Sequence, residues 1–536
     1  MKKTIYIMLG ILVIIFITSC TANGHNCKSF QSEWQDITPF MCGENGSQQI
    51  VCLKCNKVLD TRQITKDHNY YENIIKEVTC TEDGLVENIC QYCGDSHTIT
   101  QTKYGHSYTE EKISDATCTK GEMVLKTCER CNYSYEAEVS FTSKGHDYED
   151  IILQEVTCTQ DEIIKRHCKR CNDTFELTGQ KAGHVEGEMI VVEEPTEASA
   201  GKKAIVCTRC NQSAREFITL NNGYEYNGKL SVKGPDLVNQ YGEKFQLYGL
   251  STHGLQWFGR YANFDTIAAI QQGFGNNIIR FALYTSESGY CSGNPTIKQQ
   301  MYDDLCRGID AATKLGLYVI VDWHMVGAAN ILDKNPLTFV EESKEFFSEI
   351  TLKYKHQNNI LYEIMNEPNG STTWDDCKEY ANQVIPCIRK NTDAIVLVGN
   401  PRWTADLYSV MADPLVGYDN IMYTYHFYAA DHRNTTQVET AYDKGFPVFI
   451  SEFGFMNSSG DGNISTKYGE RWKTVLDERN ISYVAWNISN SKGSASIFKE
   501  ASIYMSDISD ANLKTWGIYL KNWYRSKSGL DKIMSE

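Results

Sequence analysis

The chain has 536 residues, 41% of them hydrophobic and 22% charged, with a formal net charge of −16. That length exceeds what one hydrophobic core normally fills, so at least two regions of different character are expected. The acidic balance argues against a nucleic-acid partner and suits an uncharged substrate.

At the N-terminus, Lys2 and Lys3 precede an apolar run from Ile5 to Ile17 that is too short to span a bilayer comfortably. It ends at Ile17-Thr18-Ser19-Cys20, and residues 1–20 resemble a bacterial lipoprotein signal. The resemblance implies cleavage before Cys20, lipidation of that residue, and a membrane-anchored protein on the bacterial cell surface. An ordinary secretory signal or a short anchor helix is the alternative, and either one takes the chain out of the cytoplasm.

Residues 21–220 hold four to five Cys-rich repeats. His68, His106, His146 and His184 recur at intervals of 38, 40 and 38 residues. Twelve residues after each of the first three stands a lone Cys (Cys80, Cys118, Cys158), and ten residues later a Cys-x-x-Cys begins (Cys90/Cys93, Cys128/Cys131, Cys168/Cys171). An earlier unit has Cys42, Cys52 and Cys55 without the upstream His, and the last keeps Cys207/Cys210 but has Thr196 in the lone-Cys place. Sixteen of the twenty cysteines precede residue 211, so this region differs in character from the remainder of the chain.

Three Cys and one His per unit make a tetrahedral zinc set, because thiolate and imidazole suit that borderline-soft ion. If the following His closes each site, four sets are complete: Cys42/Cys52/Cys55/His68, Cys80/Cys90/Cys93/His106, Cys118/Cys128/Cys131/His146 and Cys158/Cys168/Cys171/His184. If the preceding His closes it, only three are complete, and the count favours the first arrangement. An exported chain meets an oxidising environment in which disulfides are the competing reading. Either would staple units too small to fold on burial alone. The repeats resemble Cys-rich tandem modules of surface proteins in anaerobic bacteria, which implies a spacer or an adhesive arm.

From residue 224 to 527, apolar runs alternate with amphipathic segments, the pattern of a parallel α/β fold. Eight runs are predicted strands: Phe245–Gly249, Asn277–Phe281, Tyr318–Val321, Ile360–Ile364, Ala394–Val398, Ile421–Thr424, Pro447–Ile450 and Ile481–Val484. The clearest helix between them aligns Ile297, Met301, Leu305, Ile309 and Ala312 on one face. Eight alternations predict a (β/α)8 TIM barrel, in which the strand ends face one opening. At those ends stand His253, Arg280, Asp322-Trp323-His324, Asn366-Glu367, Tyr425-His426-Phe427-Tyr428, Glu452 and Trp486. Glu367 and Glu452 supply the two carboxylates that glycosidic hydrolysis requires.

The ordered segments Ser251-Thr-His253-Gly-Leu-Gln-Trp257, Ile279-Arg280-Phe-Ala-Leu-Tyr284, Val321-Asp-Trp-His324, Asn366-Glu367-Pro368, His426-Phe-Tyr428, Ser451-Glu452-Phe-Gly454 and Trp486-Asn-Ile-Ser489 resemble bacterial endoglucanases of glycoside hydrolase family 5. The resemblance implies internal cleavage of β-1,4-glucan by a retaining mechanism, with Glu367 as acid/base, Glu452 as nucleophile and no catalytic cofactor. It implies that Arg280 and Tyr428 hold Glu452, His426 borders Glu367, and Asn366 meets the sugar 2-hydroxyl. His253, Trp257, Tyr284, His324, Trp403, Trp486 and Lys492 would bind the polysaccharide. β-Mannan, xyloglucan and mixed-linkage glucan are alternative polymers, and a non-catalytic carbohydrate receptor is the alternative to an enzyme.

Phe453 and the loop Asn490-Ser491-Lys492-Gly493 depart from the family pattern, with Lys492 displaced by one place and no acid beside it. No Ser/Thr/Pro-rich linker follows the repeats, so the last one is expected to abut the barrel at 220–228. Cys377 and Cys387, ten residues apart on a helix-like stretch, cannot bridge each other and are expected as core thiols, as are Cys291 and Cys306.

Overall fold

The computed structural model describes residues 27–37, 41–196, 199–327 and 333–535, so the signal-like segment and Cys20 lie outside the described residues. The chain divides into two compact units, Met1–Lys181 and Ala182–Glu536.

The first unit contains four three-stranded antiparallel sheets in succession, one per repeat. Their strands are Gln35–Asp36, Asn45–Val51 and Val58–Thr65; Tyr70–Lys76, Gly84–Cys90 and Ser96–Gln101; Tyr108–Ser114, Met123–Cys128 and Ser134–Glu138; Tyr148–Gln154, Ile163–Cys168 and Thr174–Thr178. In the last three, the first residue of the first strand pairs with the first Cys of the Cys-x-x-Cys: Tyr70 with Cys90, Tyr108 with Cys128, Tyr148 with Cys168. Each His stands two residues earlier and stacks on that tyrosine at 5.0–5.3 Å. The lone Cys sits in the turn at the opposite end of the same hairpin. There Thr79, Thr117 and Thr157 accept, through Oγ1, the backbone N–H three residues on, at 2.9–3.0 Å. Between these ends there is little core. Among described residues 27–181, Val86 and Val124 are the only buried hydrophobic residues apart from cysteines, while Ile74, Ile75, Ile151 and Ile152 are exposed.

In the second unit a fifth sheet (Glu186–Glu193, Gly201–Cys207, Ser213–Thr219) precedes a closed eight-stranded parallel barrel. The sheet is fastened to the helix Phe264–Phe274. Gln272 receives the Ile218 N–H at 2.7 Å and donates to the Ile218 carbonyl at 2.8 Å. Its side-chain amide thus pairs with the edge strand as another strand would. Arg215 donates to Asp265 at 2.7 Å, and Phe217 meets Phe264 edge-on. The compact unit holding the barrel therefore begins at Ala182 and takes in this last repeat. A β-bulge between Glu186 and Met189 adds one residue to its first strand. Thr196 consequently occupies the turn position of Thr157, its hydroxyl accepting from Ser199 N–H at 2.9 Å, rather than the lone-Cys place.

The barrel strands are Tyr248–Thr252, Ile278–Tyr284, Tyr318–His324, Ile360–Glu363, Val396–Val398, Ile421–Tyr428, Val448–Gly454 and Tyr483–Ile488. Each overlaps one predicted run, but the first begins three residues later than expected and several extend up to four residues further. An inward-facing polar residue ends an apolar run without ending the backbone ladder: Tyr284 still pairs with His324, and His426 with Glu452. Arg280 is thus mid-strand, and His426, Tyr428, Glu452 and Trp486 lie within strands rather than after them. Helix Pro295–Lys314 buries Met301, Leu305, Ile309 and Ala312 as predicted, with Asn294 capping its first turn. Cys377 and Cys387 are buried on the single helix Trp374–Arg389.

Candidate functional site

Glu452 lies at the C-terminal end of the seventh barrel strand and is 5% exposed. Tyr428, at the end of the neighbouring strand, donates its hydroxyl to Glu452 Oε1 at 2.8 Å. Two residues back on that strand, His426 Nδ1 stands 3.0 Å from Glu367 Oε1. Residues i and i+2 of a strand share a face and lie about 7 Å apart. One strand thereby holds both carboxylates toward the same opening. Glu367 leaves the fourth strand through a loop, and its N–H is bonded to Met325 O at 3.1 Å.

Beneath the carboxylates, fully buried Arg280 distributes its guanidinium over a ring of acceptors. Nη1 donates to Glu452 Oε2 at 3.3 Å and Ser251 Oγ at 3.2 Å, Nε to Glu363 Oε2 at 2.7 Å, and Nη2 to Asn366 Oδ1 at 2.7 Å. Asp322 Oδ2 is 3.0 Å from the same Nη2 and 2.6 Å from His324 Nδ1. Asn366 completes the web by donating Nδ2–H to Met325 O at 3.1 Å, with His324 Nε2 3.4 Å away. A fixed, desolvated guanidinium in this arrangement leaves Glu452 little rotational freedom.

Titration follows from these contacts. Burial pushes Glu452 above the ordinary carboxylate range, and the charge of Glu367 adds to it, while His426, Arg280 and the Tyr428 hydrogen bond pull it down. Burial disfavours the charged form of His426, but hydrogen bonds to Glu363 and Glu367 and the field of Glu452 outweigh it, raising the imidazole to about 9. Both ring nitrogens then donate: Nδ1–H to Glu367, and Nε2–H to Ser451 Oγ at 2.9 Å, whose hydroxyl passes the bond to Glu363 Oε1 at 2.6 Å. Burial, with Arg280 and His426 nearby, keeps His324 neutral. For Glu363, burial is overcome by Arg280 and His426, which hold it ionised.

Three members of this web, Glu363, Ser451 and Ser251, lie inside segments marked by the sequence without a role of their own there, and Asp322 stands at a marked strand end without one. Their signal was a charged or hydroxyl side chain within an apolar strand, which must find a partner once buried. Beside the carboxylates, His253, Tyr284, His324 and Trp486 form a wall. Tyr284 stacks on His324 at 4.1 Å, His324 on Trp486 at 5.3 Å, and His253 lies 5.2 Å from Trp486. Trp257 extends the wall outward, 5.2 Å from Tyr284 and 40% exposed, while Trp486 is 7% exposed. Burial lowers His253 to about 4, so this wall is uncharged.

Trp403 is not part of the wall. It is 54% exposed on a left-handed turn whose N–H is bonded to Pro368 O at 2.9 Å, beside Glu367. Lys492 is exposed, and among the described residues its ammonium has no partner. The loop is held instead by Lys514 Nζ, which donates to the carbonyls of Ser491, Lys492 and Gly493 at 2.7–3.0 Å.

The Cys/His donors also assemble, but in different sets from those expected. Among the described residues of the first unit, groups able to hold a metal ion include Cys42/His68/Cys90/Cys93, Cys80/His106/Cys128/Cys131 and Cys118/His146/Cys168/Cys171, with Cys27/Cys52/Cys55 ahead of them. In the second unit His184 Nδ1 stands 3.4 Å from Cys210, beside Cys207. The sets Cys42/Cys52/Cys55/His68, Cys80/Cys90/Cys93/His106, Cys118/Cys128/Cys131/His146 and Cys158/Cys168/Cys171/His184 do not form. Six to ten residues of extended strand separate a lone Cys from the Cys-x-x-Cys of its own hairpin, about 20 Å or more, so the two cannot reach one ion.

A model of the cellulase family, glycosyl hydrolase family 5, matches residues 238–492. Endoglucanase A of Butyrivibrio fibrisolvens is 41% identical over 300 residues, which are 55% of this chain and 68% of that protein. An endoglucanase of Clostridium saccharobutylicum is 36% identical over 300 residues, 55% of this chain and 65% of the relative. The catalytic domain of Thermobifida fusca endoglucanase Cel5A superimposes with a TM-score of 0.52 at 34% identity, covering 56% of this chain and 99% of that domain. The chain thus spans about two thirds of the length of the curated relatives. It belongs to glycoside hydrolase family 5, and its barrel is a glycoside hydrolase of the endoglucanase kind.

Proposed function

We propose that the barrel cuts internal β-1,4-glucosidic bonds with retention of configuration. The observation that carries this reading is the seating of Glu367 on His426 and of Glu452 on Tyr428 and Arg280, two carboxylates served by one strand face. Glu452 attacks the anomeric carbon while Glu367 gives its proton to the departing glycosidic oxygen, leaving a glycosyl ester on Glu452. Glu367, now a carboxylate, takes a proton from water as that water attacks the same carbon and releases Glu452. Arg280 and Tyr428 favour the ionised, correctly turned nucleophile. Asn366, tied at its oxygen to Arg280, faces the 2-hydroxyl, and the neutral wall of Trp486, Tyr284, His253 and Trp257 stacks on glucose rings.

A variant of the Thermobifida fusca domain has been solved with cellotetraose, which supports a β-glucan as the polymer here. Proton NMR of the first product decides the stereochemistry: β-anomer before mutarotation is expected, and α-anomer overturns retention. A panel of carboxymethylcellulose, lichenan, mannan and xylan should favour the glucans, and a clear preference for mannan overturns the substrate.

The Lys2/Lys3 segment and Cys20 support export and a lipid anchor, with the repeats as the arm between membrane and barrel. Replacing Cys20 with Ala should move the protein from the membrane fraction to the medium, and unchanged partition defeats the anchor. The three Cys/one His groups support structural zinc in that arm. About one ion per group is expected in the purified chain, and disulfides in their place defeat the zinc reading.

A further inference from the structure

We infer that each zinc ion is a clasp between two successive modules, not a staple within one; this rests on the zinc reading above. Each of the three four-donor groups of the first unit draws three donors from one module and the fourth from the module before it. Cys42 comes from the first sheet, and His68, Cys90 and Cys93 from the second. Cys80 comes from the second, and His106, Cys128 and Cys131 from the third. Cys118 comes from the third, and His146, Cys168 and Cys171 from the fourth.

The geometry is that of a single tetrahedral ion. Four ligands on metal–sulfur bonds of about 2.3 Å stand about 3.8 Å apart, with sulfur–nitrogen edges slightly shorter. Across the module boundary, Cys80 Sγ lies 3.8 Å from Cys128 Sγ, and Cys118 Sγ lies 3.8 Å from Cys168 Sγ. Within the downstream module, His68, His106 and His146 place Nδ1 at 3.3, 3.4 and 3.4 Å from Cys93, Cys131 and Cys171. These spacings repeat with different surroundings at each junction. They are far from the roughly 2.05 Å of a disulfide, and Cys80, Cys118, Cys128 and Cys168 are unbridged thiols.

Backbone hydrogen bonds deliver the donors. The segment leaving each sheet is tied to the lone-Cys turn of that sheet: Gly43 N–H to Lys66 O at 2.9 Å, Tyr104 N–H to Thr79 O at 3.0 Å, Lys144 N–H to Thr117 O at 2.8 Å. Two residues beyond Tyr104, or beyond Lys144 or Lys66, comes the next His, so it is set down beside the Cys of the preceding module. The last module, after which no further module comes, has Thr196-Glu197 where the three before it have Thr-Cys and the first has Met41-Cys42. A staple inside each module would need its own Cys there; a clasp to the next would not.

The clasp makes each module's order depend on its neighbour, since little apolar surface is buried between them. Zinc counted per full-length chain, with cobalt substitution to report thiolate ligation, tests it. Cys80→Ser and Cys128→Ser should each remove one equivalent, and the double variant still only one, because both serve one ion. Cys80→Ser with Cys90→Ser should remove two. His106→Cys, which preserves four donors, should keep its equivalent and separates loss of a ligand from loss of fold. Trypsin should cut after Lys103 in Cys80→Ser faster than in the parent, while turnover per chain is unchanged. If Cys80/Cys90 loses one equivalent and Cys80/Cys128 loses two, zinc stands and the clasp falls. If no zinc or cobalt binds at all, the zinc reading falls first.

Discussion

The two regions of this chain reach order by opposite means. The barrel is closed by eight parallel strands and packs helices around Trp323, Phe281, Leu305, Trp472 and some seventy other buried residues of one cluster. The first four repeats bury mainly cysteines and leave Ile74, Ile75, Ile151 and Ile152 in water. Apolar burial grows with the size of a core, and a three-stranded sheet of under forty residues has almost none, so ligand bonds take over. The difference teaches that hydrophobicity in the repeats does not mark an interior: Ile151 and Ile152 are 46% and 52% exposed, whereas barrel runs of similar composition are fully buried.

Chelation is the sharpest way to test this contrast. Structural zinc contributes roughly 10–16 kcal/mol per site at neutral pH, more than a small module's whole stability. A chelator should abolish the unfolding transition of residues 27–181 and leave that of the barrel within a few degrees, as calorimetry would reveal; a barrel that melts as well would break the comparison. Next in size is Glu452→Gln, expected to lower kcat by about 10⁴-fold or more with no change in zinc content or barrel melting. Loss of fold in that variant would mean the Arg280 web is structural before it is catalytic.

Core truncation compares the two regions directly. Leu305→Ala, at a fully buried position, should cost about 2–5 kcal/mol in denaturant unfolding. Ile152→Ala, in a repeat, should stay within about 0.5 kcal/mol. Equal losses would show that the repeats possess a core after all.

The smallest effect is a pH shift. Burial already raises Glu452, and the Tyr428 hydroxyl offsets part of that by bonding the ionised form. The nucleophile must be ionised, so kcat/KM falls as pH drops through its titration. Removing the hydroxyl raises that titration further, and the acid limb of Tyr428→Phe should lie at higher pH than that of the parent. An unmoved limb would assign it to another group.

Much of the barrel could be read from the chain because each strand announces itself twice, by an apolar run and by the polar residue that ends it. Glu367, Glu452, His426, Tyr428 and Trp486 stand near such run ends, Arg280 lies mid-strand, and the family resemblance implies their roles. Glu363 escaped because a charge inside a strand looks like an interruption until Arg280 is seen opposite it. Lys492 was placed by analogy with a loop whose backbone Lys514 holds differently. Among the repeats, periodicity revealed the donors and their number, but preferring the arrangement with more complete sets chose the wrong partners.

By itself the sequence determined the eight-stranded alternation, the pair of carboxylates and the repeated donor inventory, because these depend on local residue types and spacing. Tertiary structure decided what converges: which carboxylate rests on which strand, how one guanidinium divides among Glu452, Glu363, Asn366 and Asp322, and which Cys joins which His. A hairpin separates residues near in sequence by the length of its strands and sets one module's turn beside the next module's histidine. Strand direction and register, not spacing along the chain, fix that distance.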